Sequence, residues 1–260
     1  MKLSATKISD FKACRRLYFF RYIEEILPVQ ESNALKDGKG YHSKIEELYN
    51  EGSFSLTGDK TDAMAKAYRK YIYPRLKIKS VEDWFAKQLN DNHTLIGRLD
   101  GVAEDGIVVE HKTTSSDIDE NYIHKLNWNE QILCYMLANG ITEMYYTVCK
   151  KPTVRQRKDE TNEEFVQRCF DWYAVDTDKK IALIKISRTK QELAEFEKYL
   201  IKLADEMQAC ESDMLYTNPT HCMAWGAPCP YQSICLNYDK NAHYVNFIKK
   251  EKKEIKNDLF

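Results

Sequence analysis

The sequence is short of the features that mark several protein classes. In its 260 residues no run approaches the ~18 consecutive apolar positions that a membrane-spanning helix needs, and the opening MKLSATKISDFKACRR carries scattered charges where a secretory leader would have an apolar core. Both absences predict a cytoplasmic protein with no membrane partner. Neither sign of charge dominates: 39 Lys and Arg face 40 Asp and Glu, for a formal net charge of −1. That excludes the global basic field of a nonspecific DNA coat, so any nucleic-acid affinity has to be local. No internal repeat and no Gly/Ser/Pro-rich linker interrupts the chain, which makes one domain over 1–260 the economical count, with a helical insertion at about 41–80. Cysteine is not scarce. Eight cysteines without a secretion signal argue against a disulfide framework, because a cytosol keeps thiols reduced, and they raise the question of metal ligation.

The most informative stretch is Gly97–Tyr135, GRLDGVAEDGIVVEHKTTSSDIDENYIHKLNWNEQILCY. Asp105-Gly106 supplies the positive φ of a tight hairpin turn between two strands. Asp100 falls on the first strand. Glu110 and Lys112 are two apart on the second, and a strand has a period of two, so their side chains share a face. Two carboxylates and a lysine among Leu95, Ile96, Leu99, Ile107, Val108 and Val109 are costly to bury unless a cation sits between them. A divalent metal would supply that charge. Without further context, a solvated ion pair explains the same residues.

Asp100 followed by Glu110-His111-Lys112 resembles the D…(D/E)-x-K signature of the PD-(D/E)XK nuclease superfamily. Gln131 and Tyr135 in NEQILCY look like the Q-x-x-x-Y element of its RecB-like branch, and Gly38-Lys39-Gly40-Tyr41-His42 is similar to that branch's G-x-x-x-H. The four elements stand in family order between Gly38 and Tyr135. The resemblance implies an α/β fold with a restriction-endonuclease-like core, a central mixed sheet flanked by helices. It also implies a Mg²⁺ or Mn²⁺ ion held by His42, Asp100, Glu110 and the backbone carbonyl of His111. Lys112 would orient the attacking water or stabilise the transition state, and Gln131 and Tyr135 would position nucleophile or phosphate.

Apolar periodicity predicts helices over 6–26 (closed by Pro28), about 41–50, 59–79 (ended at Pro74), 121–139 and 189–211. Gly38 and Gly40 precede the second, with His42 in its first turn and Glu46 one turn on. Strands are expected at 81–89, 94–104, 106–113, 142–149 and 181–187, the fourth parallel to the third after a helical crossover. Tyr68, Tyr71 and Tyr73 beside Lys66, Arg69, Lys70 and Arg75 are read either as the flank of a DNA groove or as an amphipathic helix with a solvated basic side. The basic run from Lys151 to Lys158 is read either as a phosphate contact or as a solvated loop.

Near the C-terminus HCMAWGAPCPYQSICLNY, within a segment of about 212–240, brings Cys222, Cys229 and Cys235 into a stretch too poor in apolar surface to hold itself rigid. Cys14 completes four thiolates, enough for a 4Fe–4S cluster or a structural zinc. In RecB/Cas4-like iron–sulfur nucleases, which the opening helix and Cys-Pro-Tyr-Gln-Ser-Ile-Cys resemble, one early cysteine and three late ones join the chain ends. That favours iron–sulfur over zinc, although six residues separate Cys222 from Cys229 where those families more often have C-x-x-C. Cys134, Cys149, Cys169 and Cys210 are read as ordinary buried thiols. The expected activity is metal-dependent DNA hydrolysis, as an exonuclease or end-processing nuclease on single-stranded DNA or free ends, with a partner protein or self-association left open. A nucleic-acid-binding or assembly subunit that cuts nothing, and a CRISPR adaptation nuclease of the Cas4 type, are the alternatives.

Overall fold

The computed structural model describes residues 1–210, 216–224, 227–236 and 246–249. Parts of the expected 212–240 segment and the charged tail therefore lie outside the described residues. The chain forms two compact units, one of Met1–Lys2 with Ser32–Lys202 and one of Leu3–Glu31 with Leu203–Phe260. Among the described residues no helix is long and apolar enough to cross a membrane.

The larger unit is built on a five-stranded mixed sheet, in the order Ile78–Val81, Gly101–Ala103, Val108–Thr114, Glu143–Lys150 and Ile181–Ser187. Only the central pair, Val108–Thr114 with Glu143–Lys150, is parallel. Parallel neighbours need a crossover, and the helices Glu120–Leu126 and Glu130–Asn139 supply it. Gly106, at φ 84°, makes the turn into the central strand, and Gly140, at φ 65°, ends the crossover helix. Helices Asn33–Glu51 and Lys60–Tyr71 cover the sheet, burying Tyr41, Ile45, Leu48, Met64, Tyr68 and Ile72 with Ala103, Val109, Cys149 and Ile181. The result is the expected α/β architecture of mixed strands flanked by helices.

Several elements differ from their sequence-based bounds. The strands expected at 81–89 and 94–104 are each broken, the first at Glu82 (φ 60°) and the second at Leu99-Asp100. Their halves serve two sheets. Ile78–Val81 and Gly101–Ala103 join the five-stranded sheet, while Trp84–Asn90 and His93–Arg98 pair antiparallel in another. A Leu99 N–H bond to the Asp83 carbonyl (2.8 Å) holds the two breaks together, so Asp100 sits at a bend and not within a strand. Apolar residues stand on both sides of each break, Val81 and Trp84 about the first and Ile96 and Val102 about the second, which hides the breaks in the sequence.

The helix expected near 41 starts at Asn33, with Ser32 capping the Leu35 N–H. Gly38 and Gly40 therefore lie inside it, and His42 is in its third turn. A Cβ on Gly40 would stand 3.3 Å from Thr61 Cγ2, so the glycine permits a close approach of the two helices. Tyr68 is wholly buried, which removes it from any DNA groove; its hydroxyl lies 3.1 Å from that of Tyr49. The 121–139 helix is interrupted at 127–129, where Asn129 caps the second half. In the basic loop, Glu160 takes the Arg168 guanidinium at 2.6 Å, and Thr161 with Glu164 forms a capping box.

In the smaller unit the expected 6–26 helix breaks at Cys14, whose backbone is extended (φ −163°, ψ 122°). A short helix, Arg15–Tyr18, and a π-turn, Phe19–Ile23, follow, and Ile26–Pro28 is a strand, so Pro28 closes no helix. That strand pairs antiparallel with Phe247–Lys249. Asn218 donates to the Ala13 carbonyl (2.8 Å), Tyr231 to the Ile26 carbonyl (2.9 Å), and the Tyr231 ring stacks on Phe20 and on Phe247. Early and late segments of the chain thus share one apolar cluster.

Candidate active site

The larger unit gathers His42, Asp100, Glu110, His111, Lys112, Gln131 and Tyr135 through a continuous set of contacts. Strand period puts Glu110 and Lys112 on one face, where the Lys112 ammonium pairs with Glu110 Oε1. Gln131 Nε2 reaches the same oxygen at 2.9 Å and the Tyr135 hydroxyl at 2.9 Å, since positions four apart share a helix face. The Tyr135 hydroxyl in turn donates to the Arg98 carbonyl (3.0 Å). Asp100 Oδ2 accepts the His111 N–H at 2.7 Å, and Asp100 Oδ1 lies 3.3 Å from His42 Nδ1. The His111 ring is buried, with Nδ1 2.7 Å from Thr147 Oγ1 and Nε2 without a hydrogen-bond partner among the described residues.

Electrostatics separate the two carboxylates. Burial pushes the Glu110 carboxyl up to about 7, with Asp100 adding to the rise and Lys112 opposing it. Burial would raise Asp100 too, but the hydrogen bond and charge of His42, with His111 and Lys112, outweigh it and hold Asp100 below its ordinary value. Burial opposes the charge on His42 and Lys112 as well; Asp100 overcomes it at His42 and Glu110 at Lys112, so both stay protonated to higher pH than usual. His111, desolvated, falls to about 4 and is neutral near pH 7. Glu110 Oε2 is buried and, among the described residues, accepts no hydrogen bond. An orphaned carboxylate oxygen beside a second carboxylate is an arrangement that a divalent cation relieves, and oxygen donors with one imidazole suit Mg²⁺ or Mn²⁺.

A family model described as the PD-(D/E)XK nuclease superfamily matches residues 2–93 and 80–236. The chain belongs to the PD-(D/E)XK nuclease superfamily.

Solved structures that this PD-(D/E)XK protein is similar to include the protein SSO0001 (14% identity, 90% of this chain and 85% of that one, TM-score 0.47). Others are an alkaline exonuclease from Laribacter hongkongensis (14%, 80% and 88%, 0.39) and a phage-related exonuclease from Haemophilus somnus (11%, 80% and 93%, 0.37). No curated protein matches the sequence. Members of the superfamily use divalent metal, in keeping with the donor set around Glu110.

Two neighbours of the PD-(D/E)XK residues escaped the sequence reading. Glu82 holds Arg98 Nε at 2.5 Å, and burial raises its carboxyl, against the pull of Arg98. Nothing in the sequence signals it, because its place depends on the positive φ at the strand break. Arg98 lies within the Gly-Arg-Leu-Asp run, where its neighbour Asp100 drew the attention. Gly97 has a structural duty: a Cβ there would meet Phe85 Cζ at 2.5 Å, and the Phe85 ring crosses it to pack edge-on against Tyr135 at 5.4 Å.

In the smaller unit Cys14, Cys222, Cys229 and Cys235 line one cavity of about 200 Å³ with Leu17, Phe20 and Tyr231. All four thiols are free, and among the described residues no three His, Cys, Asp or Glu side chains stand at metal-holding spacing, neither these cysteines nor His42, Asp100 and Glu110. The expected ligand set thus shares a cavity without forming a closed coordination shell. Burial raises the Cys229 and Cys235 thiols, and the neighbouring cysteines add to the rise. Cys134, Cys149 and Cys169 are buried, and Cys210 is half-buried.

Proposed function

We propose that the protein is a metal-dependent deoxyribonuclease of the RecB/Cas4-like branch, acting as an exonuclease or end-processing enzyme on single-stranded DNA or free ends. The observation that carries this reading is the unpartnered buried oxygen of Glu110, beside Asp100 and within the reach of Lys112 and Gln131. His42, Asp100, Glu110 and the His111 carbonyl would hold Mg²⁺ or Mn²⁺, which when bound lowers the pKa of a water and offsets charge on the scissile phosphate. The chain's own groups do the rest. Lys112, kept protonated by Glu110, presents a cation to the developing phosphate charge or to the attacking water. Gln131 and Tyr135 fix the Glu110 carboxylate and, through the Arg98 carbonyl, the end of the strand that precedes Asp100.

The two compact units are proposed to be parts of one nuclease domain, and the cysteine cavity to join the early and late segments within the smaller unit. Four free thiols lining one cavity, contributed by segments some 200 residues apart, support a 4Fe–4S cluster, with zinc as the second candidate occupant. The test of function is incubation of the purified protein with end-labelled single- and double-stranded DNA and Mn²⁺. Progressive shortening from an end is expected, abolished by Asp100→Ala. DNA binding without cleavage under any divalent ion would favour a binding or assembly subunit, while activity confined to spacer-length precursors with partner proteins would favour CRISPR adaptation.

A further inference from the structure

Trp84 is 71% exposed, whereas the adjacent Phe85 ring packs against Tyr135. It opens the Trp84–Asn90 strand two residues after Glu82 and stands directly opposite Arg98 in the antiparallel pair. The Arg98 guanidinium lies 5.9 Å from the indole centroid and is tethered by Glu82, which limits the freedom of both. The Arg98 carbonyl is the acceptor of the Tyr135 hydroxyl, and Asp100 follows two residues later, at the bend that ends the strand. A flat apolar face and a cation therefore stand together beside Glu82, whose carboxyl feels the charges of Asp100 and His42.

We infer, on the nuclease reading, that Trp84 is the platform on which an unpaired terminal base of the DNA strand stacks while its phosphate enters the site. Three considerations select this occupant. A base offers a π-face whatever its identity, so one indole can hold any nucleotide, as an enzyme without sequence preference requires. The half-exposed Arg98 answers the charge of the adjoining phosphate and can lie against the base plane. Within a duplex, both faces of an interior base are already covered, so only an unpaired or frayed end can use the platform. Trp84 thus selects for single-stranded or unpaired ends, and the Glu82–Arg98 pair positions it.

The test uses the full-length protein with Ca²⁺ and oligonucleotides carrying 2-aminopurine at the terminal position of an unpaired end, or at a blunt end for comparison. The fluorophore is expected to be quenched by the parent protein and by Trp84→Phe on the unpaired end. Trp84→Ala should lose the quench and bind that end roughly tenfold more weakly, with little change on the blunt duplex. Trp128→Ala, which removes another strongly exposed indole, should keep the quench. Unchanged quenching and affinity in Trp84→Ala, or equal loss on both kinds of end, overturns the inference. If the parent never cuts DNA with Mn²⁺ but its quench still depends on Trp84, the stacking role stands and the nuclease reading falls. Matching unfolding midpoints of Trp84→Ala, Trp84→Phe and parent exclude misfolding as the cause.

Discussion

Replacing Glu110 by Gln should abolish cleavage and yet stabilise the metal-free protein at alkaline pH. The Glu110 carboxyl titrates at about 7 in the fold against an ordinary 4.5, because burial disfavours its charge. Between those values the folded chain retains a proton that the unfolded chain has released. The group's contribution is thus fully present below pH 4.5 and is lost as the pH rises through 7. A rise of that size corresponds to about 3 kcal/mol withheld from the ionised fold. Glutamine cannot ionise, and it keeps an acceptor for Gln131, but it leaves Lys112 without its carboxylate, so a net gain of about 1–2 kcal/mol at pH 8 is expected. For a chain of this size that is a rise in Tm of roughly 2–8 °C. The assay is thermal unfolding in chelator at pH 8 and again near pH 5, where the gain should shrink, followed by titration with Mn²⁺, which should stabilise the parent but not the variant. A variant that melts below the parent at pH 8 in chelator, or whose gain is independent of pH, would refute the reasoning.

Asp100→Ala removes the acceptor of the His111 N–H and the partner of His42; it should fold, lose cleavage, and lose the upward shift of Tm on adding Mn²⁺. Lys112→Ala should lower kcat with little change in KM, as loss of a contact made in the transition state does, and a weakened metal titration at unchanged kcat would assign the lysine to metal binding instead. Gly97→Ala should cost about 1–3 kcal/mol, measured by denaturant unfolding, because its Cβ would displace the Phe85 ring from its contact with Tyr135. Anaerobically purified protein should absorb broadly near ~400 nm if thiolate-bound iron fills the cysteine cavity; Cys14→Ala should lose that band and lower the unfolding midpoint, and Cys134→Ala should do neither. Protein with neither iron nor zinc, and a Cys14→Ala variant as stable as the parent, would make the four cysteines ordinary thiols.

The local chemistry of the larger unit was legible from residue order. A strand period of two puts Lys112 on the carboxylate of Glu110, a helical spacing of four puts Gln131 against Tyr135, and Asp-Gly turns the chain at Gly106. The parallel pairing of Val108–Thr114 with Glu143–Lys150 follows from the length of the crossover between them. The resemblance in motif order reached the superfamily that the family match then gave. These properties depend on neighbours in sequence, and so they can be read from it.

What the tertiary structure alone decided depends on groups far apart in the chain. The break at Glu82 needs the Leu99–Asp83 bond to hold it, and with it Glu82 takes Arg98 while Trp84 comes opposite Arg98. Gly38 and Gly40, which alone would disfavour a helix by ~1 kcal/mol each, lie inside one because Thr61 of another helix approaches Gly40. Cys14 breaks a periodic helix, and it shares a cavity with cysteines more than 200 positions away. The displacement of the Glu110 carboxyl to about 7 is likewise a property of its burial, since desolvation is set by everything packed around a group and not by its neighbours in the sequence.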